Sequence, residues 1–402
     1  MKNISVFNLC LLCFSFYEIT IIPHDIYIFI KYISLLYLFV LYCRNIKYNF
    51  VVMSFCAIYG FLTLLSTIIN EMDINSIVAS FVFGLQIIDV FLVTIYFVNK
   101  YGVQKYCKIL CVFFGTLLIL TDILMLFINY DFSSPNENYL IGNKFVVSYL
   151  HCFFCAILLL MINSKGIIGG KLVQKGKMRI NKYILFVLGF LIFSLLISLK
   201  VTCTTGAIIN ACFLLMCFLP KYLMKKISKP SILLLFLLVS NIIFFGTNSI
   251  LNTDFFQYIV YEVLHKSFTW TGRLHIWEIV FDLIKIQPWL GYGYYNNIVV
   301  DYISFGNAQN GVLKIIIDSG ILGLLSYLAI LTYCFKSTNK KNMYYIFPIY
   351  IFMYSMFIAS LVEINLTHML LFVSMAIMYS IHIKEERNQL YENSNYIDAK
   401  SD

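Results

Sequence analysis

The sequence predicts an all-α polytopic integral membrane protein with about 12 transmembrane helices and one long extracytoplasmic loop. Three observations carry that class. Of 402 residues, 61% are hydrophobic and 12% charged, against roughly 45–50% and 25% in an average soluble domain. Mean hydropathy is +0.84, and a bilayer accepts apolar surface that no soluble core of this length could hide. Apolar windows of about 17–25 residues recur along the chain, and the basic residues crowd into alternate connections between them.

Those windows lie near 4–22, 26–42, 49–69, 76–98, 106–128, 145–162, 183–199, 205–219, 231–246, 310–334, 343–360 and 364–383. The first follows Lys2 like a signal peptide, but Glu18 and the lack of a small-residue cleavage site predict a retained span. Connections sharing a side with Met1 hold 22 of the 29 basic residues, with six of them in 163–182 alone. Positive-inside bias therefore puts both termini in the cytoplasm. The net charge of +9 is a topology signal and implies no nucleic-acid partner. The regions are then a nine-span part over 1–246, an extracytoplasmic loop over 247–309, three spans over 310–383 and a cytoplasmic tail over 384–402. Ten of the 12 cysteines fall inside spans, so no disulfide framework is expected. The C-x-x-C pairs Cys10/Cys13 and Cys152/Cys155 sit at lipid depth without a His cluster, and no metal or other cofactor is expected.

The long loop is the one place large enough for a site, and it holds all three tryptophans. Most of its rings read as interfacial anchors, although aromatic faces also stack on sugars. Residues 273–287 read as an amphipathic helix lying on the membrane, with His275, Glu278, Asp282 and Lys285 on its polar face. Thr271 and Gly272 read as its cap and turn, and Pro288 and Gly291 as its stop. Arg273 would sit among unpaired N–H groups, where an anion is favoured. It either holds a phosphate or pairs with a neighbouring carboxylate. Cations are scarce on this side, which singles out Lys144, Lys200 and Lys314 as groups that face one cavity with Arg273 or snorkel to headgroups. Asp89 and Asp122 are mid-span acids, and Glu363 and His368 border the last span.

Certain runs resemble a known family. Thr271-Gly272-Arg273 with Trp277, Pro288-Trp289-Leu290-Gly291-Tyr292-Gly293, and Gln309-Asn310-Gly311-Val312-Leu313 leading to Ser319-Gly320-Ile321-Leu322-Gly323 resemble the C-terminal signature of the O-antigen ligase and polymerase superfamily, including Wzy-type polymerases. The resemblance implies a GT-C-like glycosyltransferase of the bacterial inner (cytoplasmic) membrane. It would polymerise undecaprenyl-pyrophosphate-linked oligosaccharide repeat units into O-antigen or capsule, in contact with membrane lipids and with the flippase and chain-length regulator of its pathway. It also implies that Arg273 engages the pyrophosphate; Glu278 and His275 join it as catalytic candidates by their side of the membrane, and Lys144, Lys200, Arg273, Gln309 and Asn310 are the expected substrate-binding residues. Gly142-Asn143-Lys144 resembles the turn before the family's mid-chain span.

Two departures stand out. Thr204-Thr205-Gly206 occupies the place of a Ser-Arg-Gly-like motif, and Gln309 the place of a histidine found in ligases. An amide takes no proton at neutral pH, which favours polymerase over ligase and leaves Glu278, His275, Asp301 and His368 as candidate bases. A flippase or secondary transporter would also have about twelve spans, but such folds favour internal repeats and short loops.

Overall fold

The computed structural model describes residues 2–128, 139–164, 182–201, 203–246, 269–303, 307–335 and 343–383. The tail 384–402 and most of the charged loop 163–182 lie outside the described residues, as do 247–268 of the long loop. The described chain is helical: α1 (Lys2–Phe14), α2 (His24–Tyr42), α3 (Phe50–Ile69), α4 (Ile74–Tyr101), α5 (Val103–Phe127), α6 (Lys144–Ser164), α7 (Lys182–Lys200), α8 (Thr204–Cys217), α9 (Lys221–Ile227), α10 (Pro230–Gly246), α11 (Thr269–Ile286), α12 (Ile298–Ile303), α13 (Gly311–Cys334) and α14 (Met343–Ala359), then α15 (Met369–Ile383). No strand occurs among the described residues; an isolated bridge joins Tyr139 to Gly142.

Each expected span has its apolar helix. Among the described residues, six helices are long and apolar enough to cross a membrane, and six more are apolar helices of 10–17 residues. The protein is a multi-pass helical membrane protein. The short ones correct the sequence reading most at the first span. That helix stops at Phe14, and the Ser15 carbonyl leaves the helical ladder to accept from Gln86 Nε2 at 2.8 Å. Thr20 N then donates to Leu140 O at 3.1 Å, so residues 15–22 cross under the α6 turn instead of continuing as helix.

α4 forms a hub against α1, α2, α3 and α5, while α6 packs on α5, α7, α8 and α14. Hydroxyls buried between helices donate back to the preceding turn, as Thr63 Oγ1 does to Tyr59 O (2.9 Å) and Ser198 Oγ to Ser194 O (2.9 Å). These hydroxyls are thereby satisfied where no water reaches. Of the mid-span acids, Asp122 meets Nε2 of buried His151 at 3.2 Å, tying α5 to α6.

α13 is broken at Gly320, whose backbone (φ 69°, ψ −172°) only glycine adopts readily. An intact helix would pair Ile321 N with Ile317 O and Leu322 N with Asp318 O. Here the 288–293 segment enters the gap. Tyr292 N donates to Ile317 O (2.6 Å) and Gly293 N to Asp318 O (3.2 Å), while Ile321 N donates to Pro288 O (2.8 Å) and Leu322 N to Trp289 O (3.3 Å). Two helical bonds are thus replaced by four to the loop. Gly291 and Gly320 permit the contact, since a Cβ on Gly320 would lie 2.0 Å from Trp289 O and one on Gly291 2.5 Å from Ile317 O. The segment is then pinned to α3, where Tyr294 N donates to Thr67 Oγ1 (2.9 Å) and Asn70 Nδ2 to Gly291 O (3.0 Å). The end of the bundle carrying residues 287–310 is called the loop end below.

Candidate functional site

Three connections converge at the loop end beside the start of α13. The first is the turn into α6. Gly142 takes a positive φ (115°), and Asn143 Oδ1 accepts from Phe145 N (3.1 Å) and Val146 N (3.2 Å), capping the helix that Lys144 opens. The expected turn is therefore present, and it fixes where the Lys144 backbone enters the bundle.

The second is the α7–α8 junction. Cys203 caps α8 by accepting from Gly206 N at 3.3 Å. Gly206 lies so close to α6 that a Cβ there would fall 2.1 Å from Ser148 Oγ. A polar seam runs from this contact: Ser148 Oγ to Ser198 Oγ (3.3 Å), Asn210 Nδ2 to Ser198 Oγ (3.4 Å) and to Gly206 O (2.9 Å), and Ser194 Oγ to Asn210 Oδ1 (2.9 Å). The seam locks α6, α7 and α8 together, so Lys144, Cys203 and Thr205 keep fixed relative positions. The Lys144 charge acts on the Cys203 thiol, and so does that of Glu363.

The third is the turn 360–368 between α14 and α15. Thr205 Oγ1 donates to Glu363 Oε1 at 3.3 Å, and both residues are buried. Tyr149 lies within reach of the Glu363 charge and meets the His368 ring edge-on, with centroids 5.5 Å apart. Tyr17 packs on the other side of His368 at 5.7 Å. His368 Nδ1 accepts from Leu370 N (3.4 Å) at the start of α15, and burial pushes its pKa down to about 4. The imidazole is neutral at physiological pH and its conjugate acid is strong, so it is a poor proton acceptor.

The sequence-expected residues divide around this cluster. Asn310 is fully buried and wholly occupied: Oδ1 accepts from Val312 N (2.9 Å) and Leu313 N (3.0 Å), and Nδ2 donates to Asn241 Oδ1 (2.9 Å) and Leu361 O (3.2 Å). It is an N-cap that ties α10 and the 360–368 turn to α13. Gly311 N adds a bond to Ser360 O (2.8 Å). Gln309 precedes it at φ 50° with its amide donating to Asn307 Oδ1 (2.9 Å). Lys314 is paired within α13: its Nζ donates to Asp318 Oδ1 (2.7 Å), which also takes a bond from Asn296 Nδ2 (3.0 Å). Lys200 ends α7 with its side chain exposed.

α11 departs from expectation in two ways. It begins at Thr269, so Thr271 and Gly272 lie within it and Arg273 is its fifth residue. The backbone N–H of Arg273 is past the first turn, where helical N–H groups lack partners, and the helix terminus adds less to anion binding there than expected. Nor does the helix merely lie on lipid. Ile276, Trp277, Val280 and Leu283 are buried against Val299, Leu313 and Ile317, with Trp277 set edge-on to Phe244 (5.1 Å) and Phe245 (5.4 Å). Trp277 is thus core, whereas Trp289 stays 62% exposed as an interfacial anchor would. The polar face points away from that packing: His275 Nδ1 lies 3.8 Å from Glu278 Oε2, both side chains more than half exposed. Asp301 is exposed too.

Contacts nevertheless lead from α11 to the cluster. Trp277 rests on Phe244 and Phe245, Asn241 one turn earlier in α10 meets Asn310, and Asn310 reaches Leu361. The Arg273 backbone lies one turn before Trp277 in the same helix. The Thr205–Glu363 contact was not legible in sequence, since 158 residues separate the partners. The available signal was an acid at a lipid-proximal turn, a costly placement.

A cation and a carboxylate held at one end of a membrane-spanning helical bundle suit an enzyme acting on a charged, lipid-anchored substrate. Residues 186–328 match the family model described as O-antigen ligase. That stretch spans α7 to most of α13, including Thr205, Arg273 and the interlocked 288–293 and 309–323 segments. The match supports the O-antigen ligase and polymerase superfamily, whose members are ligases and glycosyltransferase-like enzymes of polysaccharide biosynthesis. No curated protein matches the chain.

Proposed function

We propose that the protein polymerises undecaprenyl-pyrophosphate-linked oligosaccharide repeat units for a surface polysaccharide, transferring the growing chain onto the next lipid-linked unit. The observation that carries this reading is the O-antigen ligase match over the stretch containing Arg273, combined with Gln309 where a ligase has histidine. A sugar pyrophosphate is already activated. The protein must hold the leaving pyrophosphate, orient an acceptor hydroxyl and stabilise charge as the anomeric bond breaks. Arg273 supplies a planar pair of donors that fits two phosphate oxygens. Lys144 and Lys200 add positive charge at the loop end, which the residue distribution makes extracytoplasmic. The lipid tail lies between helices open to the bilayer.

Arg273→Lys tests this by keeping the charge and removing the fork. An exposed ion pair is worth about 0–1 kcal/mol, so lysine nearly suffices if Arg273 only balances a carboxylate. If it clamps the pyrophosphate, a loss of about 2.7–4 kcal/mol lowers the rate roughly a hundredfold to a thousandfold. Chain lengths then collapse toward one repeat unit at unchanged protein level; wild-type lengths in the lysine variant defeat the clamp. In cells lacking the protein, single repeat units should accumulate on lipid outside. Units held on the cytoplasmic face would indicate a flippase instead.

A further inference from the structure

We propose that the cavity between the α2–α3 connection and the C-terminal end of α4 binds the phosphate headgroup of an anionic membrane lipid. The site lies at the end of the bundle opposite the loop end and does not depend on the polymerase reading.

α3 finishes at the loop end, where Asn70 meets Gly291, so α4 runs away from it. At the far end a cavity of about 410 Å³ is lined by Asn45 and Tyr48 of the connection Cys43–Tyr48, by Asn49 just after it, and by Tyr96, Asn99 and Lys100 of α4. Sites for small molecules run from about 300 Å³ upward, so there is room for a phosphate and the glycerol that carries it. The walls are already held in place. Asn49 is buried, donating from Nδ2 to Asn45 O (3.0 Å) and accepting from Tyr379 OH of α15 (3.5 Å). The Tyr96 ring rests on Tyr42 with centroids 4.8 Å apart, and the Tyr42 hydroxyl accepts from Asn8 Nδ2 of α1 (2.9 Å).

The charge at this end is uncompensated. Lys100 Nζ donates to Tyr96 OH (2.7 Å) and stands 5.0 Å from that ring's centroid, while Lys47 Nζ stands 4.8 Å from the Tyr48 centroid and Lys105 Nζ 4.4 Å from that of Tyr101. Aromatic faces position ammonium groups without neutralising them. Among the described residues, none of Arg44, Lys47, Lys100 and Lys105 pairs with a carboxylate. The side chains of Asn45 and Asn99 make no hydrogen bond among the described residues, and each amide offers two N–H donors. Ammonium and amide donors with no carboxylate opposing them select an anion that carries several oxygens.

The surroundings of the cavity favour a lipid-borne anion over a dissolved one. Val40 and Leu41 before the connection, and Phe50 and Val51 after it, are exposed apolar residues. The cavity therefore opens where lipid-facing surface gives way to the polar end, at headgroup depth, and an anion arriving on a lipid leaves its tails on that surface. Positive-inside bias assigns this end to the cytoplasmic leaflet, whose surface is negative because of anionic lipids.

The test titrates full-length protein, purified in neutral detergent and stripped of lipid, with phosphatidylglycerol and counts bound lipids by native mass spectrometry. Diacylglycerol with the same chains supplies the tails without the phosphate, and inorganic phosphate supplies the anion without the tails. Phosphatidylglycerol should fill one saturable site that Lys100→Gln and Asn99→Leu each weaken about tenfold or more. The first removes charge, and the second removes donors. Lys108→Gln removes an exposed charge near the start of α5, at the same end but not among the lining residues, and should bind as wild type does. Equal weakening by Lys108→Gln and Lys100→Gln would reduce the effect to diffuse surface charge and overturn the site. Diacylglycerol binding as tightly as phosphatidylglycerol would overturn it too. Displacement of the lipid by inorganic phosphate at equal concentration would overturn the lipid source. Should Asn99→Leu fail to fold, the exposed Lys100→Gln decides alone, and wild-type binding in that variant refutes the proposal.

Discussion

Alanine at Gly320 should separate the 288–293 segment from α13. The added Cβ would lie 2.0 Å from Trp289 O, 2.2 Å from Trp289 C and 2.4 Å from Leu290 N, all backbone atoms that no rotamer change can move aside. Alanine also disfavours the φ of 69° and ψ of −172° found there, at about 1–3 kcal/mol. Relief requires α13 to straighten. The four bonds to the loop, at about 0.5–1.5 kcal/mol each, then give way to two helical ones, a net loss of about 1–3 kcal/mol. Straightening removes that backbone strain, so the variant loses about the 1–3 kcal/mol of the bonds. Gly189→Ala is the control: it lies within α7 with nothing inside 4 Å of the new Cβ, and alanine there should stabilise slightly, by about 0.5–1 kcal/mol. Thermal unfolding in detergent can be followed by a thiol-reactive fluorophore, because Cys13, Cys56, Cys107, Cys152, Cys155, Cys203 and Cys334 are buried until the bundle opens. Gly320→Ala should label well below wild type in temperature, and Gly189→Ala close to it. Coincident curves for the two variants would refute the interlock.

The same assay measures Asn310→Ala, which loses an N-cap worth about 1 kcal/mol and strands Asn241 Oδ1 and Leu361 O, for a total of roughly 2–4 kcal/mol; lost activity with unchanged stability would instead restore a substrate contact. For His368, the folded pKa near 4 lies below the ordinary 6.5, so the unfolded chain binds the extra proton between these values. Its contribution is full above pH 6.5 and falls toward pH 4, by at most about 3 kcal/mol. His368→Gln should flatten that part of the stability profile; an unchanged slope would reject burial as the cause. In a background stripped of native thiols, cysteine at Asn252 should react with an impermeant reagent in intact cells and cysteine at Lys175 should not, and the reverse would invert the expected topology.

By itself the sequence determined the class and the twelve apolar helices. Apolar windows fixed by bilayer thickness yield all twelve helices, and the Gly-Asn-Lys turn into α6 and the Pro-Trp-Leu-Gly-Tyr-Gly segment could be recognised from local residues, because such patterns answer to the solvent and the backbone alone. Tertiary structure decided the rest. The stretch from 15 to 22 reads as a continuation of the first helix until Gln86, 71 positions from Ser15, takes the Ser15 carbonyl. Trp277 reads as an interfacial ring until Phe244 and Phe245 enclose it, and Lys314 as a free cation until Asp318 and Asn296 are seen beside it. The Gly320 break looks like a helix-weakening glycine until the 288–293 backbone fills the gap. The meeting of Thr205 with Glu363 lay wholly beyond sequence reasoning, since a hydrogen bond between helices depends on how α8 and the 360–368 turn pack against α6, and no local periodicity encodes that distance.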